Sequence, residues 1–186
     1  MFHRSERLFL RPAWPEDWEA LHNGISDERI VRNLATAPWP YVPEDAQKFT
    51  RMEQNQYLPG FVVTLPDEGV IGGAGLGIDK ESGDFELGYW IGRKWWGNGF
   101  ATEATKALLQ IAKAIGYDRI TASHFVDNPA SGRVLTKAGF RSTGKIRPGY
   151  SIARGRRDPV ACFEARLNAD DDDKRGDDFP DMQKAA

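Results

Sequence analysis

Apolar residues in the first third of the chain occur in short groups separated by proline, glycine and acidic residues. One such group at 7–11 indicates a first strand. Helices are predicted to begin at Pro15 and Pro43, because a proline followed by two acidic residues suits the first turn of a helix. Between them, apolar residues at helical spacing predict a short amphipathic helix over 27–34. This part of the chain is therefore predicted to form one strand followed by three helices.

The middle of the chain changes from strand spacing to helix spacing. Apolar runs at 61–65, 70–78 and 85–91 are separated by turn-forming residues, which predicts three strands in an antiparallel meander. A buried strand is predicted at 120–126. The helix between them ends at Gly116 and presents one apolar face formed by Ala104, Leu108, Ile111 and Ile115. Because this helix separates two strands, we predict a right-handed crossover between parallel neighbours.

A second helix and two strands complete the pattern. Asn128 and Pro129 form a good helix start, and Gly139 marks the end of that helix. Further strands at 140–146 and 160–167 bring the total to seven. We therefore predict an α/β fold in which a central, mixed and mostly antiparallel sheet of about seven strands carries helices on both faces.

Composition limits the domain organisation. The 186 residues are 40% hydrophobic and 28% charged, which is enough for one domain with a sizeable core, and we place this domain at 1–167. The remaining segment, 168–186, holds seven Asp against Lys174, Arg175 and Lys184, and is expected to be a disordered acidic tail. An acidic docking segment is the alternative.

Charge and cysteine content argue against several functions. The formal net charge of -2 disfavours a nucleic-acid binder, and a single cysteine, Cys162, allows neither an internal disulfide nor a multi-cysteine zinc site. No apolar stretch reaches the about 18 residues that span a bilayer, and the first ten residues lack the apolar segment of a signal peptide. We therefore expect a cytoplasmic protein without membrane, nucleic-acid or metal partners, present as a monomer or a homodimer.

The segment with the clearest chemistry joins the last strand of the meander to the long helix. It contains Gly97 and Gly99, and glycines permit backbone angles and close approaches that a side chain would forbid. A loop of this kind directs N–H groups outward at the positive end of a helix dipole, which suits a phosphate or pyrophosphate. The alternative is a tight strand-to-helix turn that needs glycine for its geometry alone.

This loop resembles motif A of the GNAT superfamily of N-acetyltransferases, whose pattern is Gln/Arg-x-x-Gly-x-Gly/Ala. Here the pattern is Lys94-x-x-Gly97-x-Gly99, so lysine replaces the usual Gln or Arg. The longer match at 96–104 is similar to the branch that includes the ribosomal-protein N-terminal acetyltransferases. The resemblance implies that the loop binds the pyrophosphate of acetyl-CoA.

Other segments extend the resemblance over roughly residues 6–167. Strand 85–91 is similar to the family's fourth strand, and 127–140 is similar to its motif B. The family's fold implies that strands four and five splay apart with the pantetheine arm between them. Helix capping is a second, compatible role for Asn128. The residues implied to bind acetyl-CoA are Tyr89, Trp90, Ile91, Lys94, Gly97, Asn98, Gly99, Phe100, Ala101, Thr102, Asn128 and Ser131.

The resemblance also implies roles in catalysis. An amine must lose a proton before it attacks, and Glu86, in the fourth strand beside the expected thioester, is the leading candidate for the base. Burial there would raise its pKa towards neutrality, and the alternative is a surface or salt-bridging glutamate. A main-chain N–H near Trp90 or Ile91 could stabilise the thioester oxygen. Ser131 or Tyr150 could protonate the departing thiolate.

The acceptor is the least determined part of the prediction. Trp39 and Tyr41 lie in the half of the chain that covers the acceptor site in the family, so they are candidates for an aromatic acceptor pocket, although core packing would explain them equally well. A basic cluster at 145–157 could attract an acidic peptide or the cofactor's phosphates, but we prefer to interpret it as a solvated hairpin loop.

We therefore predict an acetyl-CoA-dependent N-acetyltransferase that transfers the acetyl group directly to a primary amine. The branch that the loop resembles suggests a protein N-terminus as the acceptor. The alternatives are a small-molecule amine, such as a polyamine or an antibiotic, and a non-catalytic acyl-CoA-binding module.

Overall fold

The structure, a computed structural model, describes residues 1–167, and the predicted acidic tail at 168–186 lies outside the described residues. The strands are β1 (His3–Arg4), β2 (Phe9–Arg11), β3 (Gly60–Leu65), β4 (Gly69–Ile78), β5 (Phe85–Ile91), β6 (Arg119–Phe125), β7 (Arg141–Ser151) and β8 (Arg156–Arg166). The α-helices are α1 (Trp18–Ile25), α2 (Glu28–Val31), α3 (Pro43–Thr50), α4 (Phe100–Ala114) and α5 (Pro129–Ala138). Short 3-10 helices precede α1 and α4 at Pro15–Asp17 and Arg93–Trp95.

These strands form one sheet in the order β1-β2-β3-β4-β5-β6-β8-β7. Neighbouring strands are antiparallel except β5 and β6, which are parallel and are connected through α4. The predicted meander, formed by β3, β4 and β5, and the parallel crossover are both confirmed. The sheet has eight strands instead of about seven, because β1 has two residues and is too short to produce an alternating pattern.

The parallel pair at the centre of the sheet is incomplete. β5 and β6 pair at a single position, Glu86 with Thr121, although each strand has seven residues. On its other side, β5 pairs with β4 along the whole length of β5. The two parallel strands therefore diverge towards their carboxyl ends, which is the splay that the family resemblance implies. This opening leaves main-chain groups unpaired in the middle of the sheet.

The last hairpin is longer than predicted. β7 and β8 pair as far as Ser151 with Arg156, whereas the sequence predicted strands at 140–146 and 160–167 only. In the part that was not predicted, residues 147–151, the buried positions hold Gly149 and Ser151, so the sequence shows no alternation of apolar and polar side chains there. Pairing with β8 therefore determines the length of this strand.

Helices cover both faces of the sheet, as predicted. Consecutive side chains of β3 alternate between two core clusters, with Phe61 and Val63 on one face and Val62 on the other. The first cluster lies under α4 and α5, and we call this side the α4–α5 face. The second lies under α1, α2 and α3, and we call it the α1–α3 face. No helix within residues 1–167 combines the length and the apolar character needed to cross a bilayer.

Candidate active site

The glycine loop lies between β5 and α4. Gly97 and Gly99 both have φ of 80°, a left-handed conformation that residues with a Cβ rarely adopt, so this turn requires glycine at both positions. Among residues 1–167, no acceptor bonds the N–H groups of Gly97, Gly99 or the first three residues of α4, Phe100, Ala101 and Thr102. These amides stand at the positive end of a 15-residue helix. The loop is therefore built to receive an anion.

The outer side of the loop is braced by the N-terminal segment. Arg7 donates through Nη1 to the carbonyl oxygen of Asn98 at 3.1 Å, and its guanidinium lies 4.5 Å from the centre of the Phe100 ring. Glu103, in the first turn of α4, accepts from the Arg7 N–H at 2.7 Å and from Nε at 2.8 Å. The sequence gives no signal for this contact, because nothing in a single sequence links residues that are 96 positions apart.

The side chains of Asn98 and Lys94, which were predicted to bind the cofactor, bond other groups of the protein. The Asn98 side-chain amide donates to the carbonyl oxygens of Trp95 and Trp96, at 3.2 and 3.1 Å, and so shapes the loop from within. The Lys94 ammonium lies 2.7 Å from Glu68, in the turn between β3 and β4. Main-chain groups are therefore the donors that the loop itself offers to an anion.

The main chain of β5 presents free groups to the splay. The N–H of Gly92, directly after β5, donates to the carbonyl oxygen of Ile71 of β4 at 2.8 Å. On the other side, the hydroxyl of Thr121 of β6 donates to the carbonyl oxygen of Phe85 at 3.0 Å. Because main-chain groups alternate in direction along an antiparallel strand, Tyr89 and Ile91 direct their N–H groups towards β6, whereas Trp90 directs its own towards β4. Of the two expected oxyanion donors, Ile91 therefore faces the opening and Trp90 does not.

The side chains of β5 alternate in the same way. Leu87 and Ile91 pack into the core of the α4–α5 face, and Tyr89 packs beside them. Trp90 points to the α1–α3 face, where its indole lies so close to β4 that a Cβ on Gly73 would come within 2.6 Å of Nε1. Glu86 shares this face with Trp90. The predicted site residues of β5 therefore separate onto two sides of the sheet.

On the α4–α5 face, Tyr89 and Ser131 form a hydroxyl pair. Their oxygens are 2.7 Å apart, and Ser131 lies in the first turn of α5. Burial raises the pKa of Tyr89 to about 12, so its hydroxyl stays protonated at neutral pH. Asn128 holds the N-cap position of α5 but its side chain makes no capping hydrogen bond, so the expected capping role is not observed.

On the α1–α3 face, Glu86 is half-buried, with 28% of its side chain exposed. Burial raises the pKa of this carboxyl group, and the negative charge of Asp79 acts in the same direction. Ser123 of β6 donates to Oε1 at 2.6 Å, and Nη2 of Arg147 lies 3.9 Å from the same oxygen; both contacts favour the charged form. Glu86 is therefore not a freely solvated surface residue.

Ionic contacts surround Glu86 on the same face. Arg147 of β7 bonds Asp79 and lies 3.5 Å from Glu81, and Arg157 of β8 bonds Glu81. Asp79 and Glu81 belong to the turn between β4 and β5. These contacts connect that turn to the last hairpin, and each acidic residue of the turn has an arginine partner.

The two aromatic acceptor candidates differ in their surroundings. Tyr41 is 8% exposed, stacks with His22 and belongs to the core cluster of the α1–α3 face, so the core-packing interpretation describes it. Burial raises its pKa to about 12. Trp39 is 43% exposed in the loop before α3 and can reach a ligand. Tyr150 is 49% exposed on β7.

Arg154 departs from the solvated loop expected for the basic cluster, since 5% of its side chain is exposed. It donates to the carbonyl oxygen of Arg32 at 2.7 Å and to both carboxylate oxygens of Asp127 at 2.8 and 2.9 Å, and its guanidinium stacks 3.9 Å from the Phe125 ring centre. Asp127 directly precedes Asn128. Arg154 thus connects the end of α2, the last hairpin and the start of α5.

A glycine loop with free amides, placed where two parallel strands splay apart beneath a half-buried carboxyl group, defines an enzyme of the acetyltransferase class. The chain belongs to the GNAT acetyltransferase family, because residues 7–141 match the family model described as an acetyltransferase (GNAT) domain. The match covers most of the described chain and includes both the loop and the splayed strands.

Individual relatives agree with this assignment. The chain is 33% identical to the uncharacterized N-acetyltransferase p20 of Bacillus licheniformis, over 86% of this chain and 92% of that protein. It is 25% identical to a GNAT-family acetyltransferase of Bacillus anthracis, with a TM-score of 0.75 over 90% of this chain and 99% of that one. The ribosomal L7/L12 α-N-protein acetyltransferase RimL, solved with coenzyme A, has the same fold at 20% identity, with a TM-score of 0.76 over 91% and 100% of the two chains. The protein is therefore an N-acetyltransferase.

Proposed function

We propose that the protein transfers an acetyl group from acetyl-CoA directly to a primary amine, without an acyl-enzyme. The observation that carries this proposal is the position of the glycine loop, whose free amides follow β5 at the open end of the splay. A thioester with a pyrophosphate and an amide-rich arm needs both features side by side. RimL shares the fold and was solved with coenzyme A, which supports the same donor here.

The proposed binding mode uses mainly main-chain groups. The amides from Gly97 to Thr102 receive the pyrophosphate, and the edge of Tyr89 and the N–H of Ile91 pair with the amides of the pantetheine arm. The Ile91 carbonyl already accepts from the Trp96 indole at 2.6 Å. The Asn128 side chain has no partner within residues 1–167 and is free to bind the arm. Trp90 and Asn98 act by shaping the strand and the loop, and Phe100 and Ala101 by positioning the first turn of α4. Lys94 lies near the loop but is bonded to Glu68.

The proposed chemistry uses both faces of the sheet. Glu86 accepts a proton from the acceptor's ammonium group, directly or through water, and the freed lone pair attacks the thioester carbon. A main-chain N–H facing the splay stabilises the oxygen of the tetrahedral intermediate. Tyr89 is three residues from Glu86, about 10 Å along the strand, and Ile91 about 17 Å, so Tyr89 is the better placed donor. As the carbon–sulfur bond breaks, the Tyr89–Ser131 pair donates a proton to the thiolate, the nitrogen of the new amide releases its extra proton to water, and the hydroxyl pair regains its proton from solvent.

The acceptor is proposed to carry a single ammonium group, as a protein N-terminus does. A polyamine would need acidic side chains beyond the base to bind its remaining charges. The acidic residues nearest Glu86, which are Asp79 and Glu81, are each bonded to an arginine. Exposed Trp39 lies on the same side of the sheet as α3 and is our candidate for contact with an acceptor side chain. A small monoamine is the second candidate.

The first test is the melting temperature with saturating acetyl-CoA, with ATP as the control. A ligand at 100 times its dissociation constant adds about 2.7 kcal/mol of stability, which corresponds to a shift of several degrees in a domain of this size. ATP also carries an adenosine and phosphates but lacks the pantetheine arm. We expect a rise with acetyl-CoA alone. No rise, or an equal rise with ATP, would refute the proposed donor.

The second test measures turnover by release of free coenzyme A. A peptide with a free N-terminal amine, the same peptide with a blocked N-terminus and no lysine, and spermidine are compared at equal concentration. We expect turnover with the free peptide only. Preference for spermidine would contradict the proposed acceptor class, and binding of acetyl-CoA without turnover on any amine would support the non-catalytic module.

A further inference from the structure

A row of polar side chains crosses four strands on the α1–α3 face. Glu86 on β5 accepts from Ser123 on β6, Ser123 is opposite Cys162 on β8, and Cys162 lies beside the guanidinium of Arg147 on β7. Arg147 reaches back over this row towards β5, since its Nη2 lies 3.9 Å from Oε1 of Glu86. The row therefore begins and ends at the same carboxyl group.

Arg147 is held in this position by the turn between β4 and β5. Its Nη2 also bonds Asp79, whose side chain is 9% exposed, and Nη1 lies 3.5 Å from Glu81. Asp79 is buried in this pair whereas 29% of the Arg147 side chain is exposed, so loss of the arginine would leave a buried carboxylate without this partner. Asp79 therefore anchors the guanidinium beside Glu86, although it does not contact Glu86 itself.

We propose that Arg147 and Asp79 are positioning residues that together set the charge state and orientation of Glu86. The proposal depends on the proposed role of Glu86 as the base. Arg147 places a positive charge next to the carboxylate and favours its ionised form. Asp79 keeps Arg147 in place while adding a negative charge that disfavours the same form. Two opposite charges, one on β7 and one in the turn after β4, therefore shift the ionisation of Glu86 in opposite directions.

The groups that face Glu86 determine the direction in which each substitution should shift the pKa of Glu86. Burial and Asp79 raise the pKa of Glu86, whereas Ser123 and Arg147 lower it. Removal of the arginine's charge should raise the pKa of Glu86, since Asp79 then acts without compensation. Asp79→Asn keeps a side-chain oxygen that can still accept from Arg147, so removal of the aspartate's charge alone should lower the pKa of Glu86. Glu81 and Arg157 are bonded to each other at the edge of this group.

The experiment compares Arg147→Gln with Asp79→Asn in the full-length protein. The acid limb of the pH profile of kcat/KM reports the base in the free enzyme. For Arg147→Gln we expect the limb to move to higher pH, with about a tenfold loss of kcat/KM on the acid side and near-normal activity on the alkaline side. For Asp79→Asn we expect the limb to move to lower pH. Arg147→Lys, which keeps the charge, should restore most of the acid-side activity.

Arg157→Gln is the matched control, because it removes an arginine from the same group without approaching Glu86, and its pH profile should match that of the wild type. Melting temperatures of all variants identify any that fail to fold, and Arg147→Lys then carries the test. The inference is overturned if Arg147→Gln and Asp79→Asn move the limb in the same direction, or if Arg157→Gln moves it as far as Arg147→Gln does.

A second readout separates this inference from the proposed function. The Glu86 carboxyl can be titrated by ¹³C NMR in protein labelled at the glutamate carboxyl carbon, with its resonance identified by its loss in Glu86→Gln. Opposite displacements in the two variants would support the positioning role even in protein that acetylates none of the amines tested. Unchanged titration in both variants would overturn it, even if acetyl transfer is observed.

Discussion

The glycine loop and the Glu86 group are two halves of one site that are built in different ways. The loop uses consecutive residues and presents main-chain N–H groups, and its form depends on two glycines with φ of 80°. The Glu86 group consists of side chains from β5, β6, β7 and the turn after β4. The first half is therefore sensitive to backbone conformation, and the second is sensitive to strand register and charge.

The two halves also lie on different sides of the sheet. Tyr89 and Ser131 meet on the α4–α5 face, whereas Glu86 and Ser123 meet on the α1–α3 face. Within residues 1–167, β5 and β6 separate after the pair of Glu86 with Thr121, which opens the sheet between the two sides. In the proposed mechanism the two substrates therefore approach from opposite sides and react in the opening. Variants of the Glu86 group should accordingly change kcat, whereas variants of the glycine loop should change the KM for acetyl-CoA.

The largest expected effect is that of Glu86→Gln. Loss of the base should lower kcat by about 100- to 1000-fold, because general base catalysis contributes on this scale. Acetyl-CoA affinity, measured by calorimetry, should stay within about twofold of the wild type, since Glu86 faces the other side of the sheet. Glu81→Gln is the control on the same face and should retain activity. A large loss of acetyl-CoA affinity in Glu86→Gln would break the separation between the faces.

The next effect concerns the loop. Gly99→Ala should raise the KM for acetyl-CoA about tenfold with kcat nearly unchanged, because a left-handed alanine is strained and misdirects the amides. Gly116→Ala is the matched control, since Gly116 follows the other end of the same helix with φ of 96° and nothing within 4 Å of its Cβ position. Both variants should lose about 1–2 kcal/mol of stability. An equal rise of KM in both would show that the effect is general destabilisation.

The smallest effect is expected for Tyr89→Phe. Ser131 keeps a hydroxyl that can donate a proton, so kcat should fall only about threefold and stability by about 1 kcal/mol. The raised pKa of Tyr89, about 12, means that the wild type should show no alkaline loss of kcat from this tyrosine below about pH 10. Tyr117→Phe, which removes a hydroxyl bonded to the Tyr57 carbonyl away from the site, is the control. Equal kcat values for Tyr89→Phe and Tyr117→Phe would leave the Tyr89–Ser131 pair without a role in the reaction.

Much of the fold could be predicted because its elements have clear local patterns. The meander, the helix after the glycine loop and the strand at 120–126 each combine a hydrophobic period with turn or capping residues at their ends. Where the pattern was weak the prediction was incomplete. The distal half of β7, residues 147–151, buries Gly149 and Ser151 instead of large apolar side chains, so its pairing could not be deduced from hydrophobic periodicity.

The same distinction applies to the site. The loop could be identified because its two glycines lie close together in the chain and follow a family motif. The sequence did not assign Arg7, Ser123, Arg147 or Arg154 to the site. Each of these side chains has a partner far away in the chain, such as the Asn98 carbonyl for Arg7 or Asp127 for Arg154. A single sequence contains no signal for such pairs. Tyr41 shows the reverse case, because an aromatic residue at a plausible position was placed in the core by packing.

The sequence by itself determined the order of the elements, the glycine loop and the family, because these depend on neighbouring residues and on backbone conformations that only certain residues adopt. Tertiary structure alone decided that Glu86 and Ser131 lie on opposite faces, that β5 and β6 pair at one position, and that Arg147 stands beside the carboxyl group. These features depend on strand order and register, which arise when distant segments pack together to bury two core clusters on either side of one sheet.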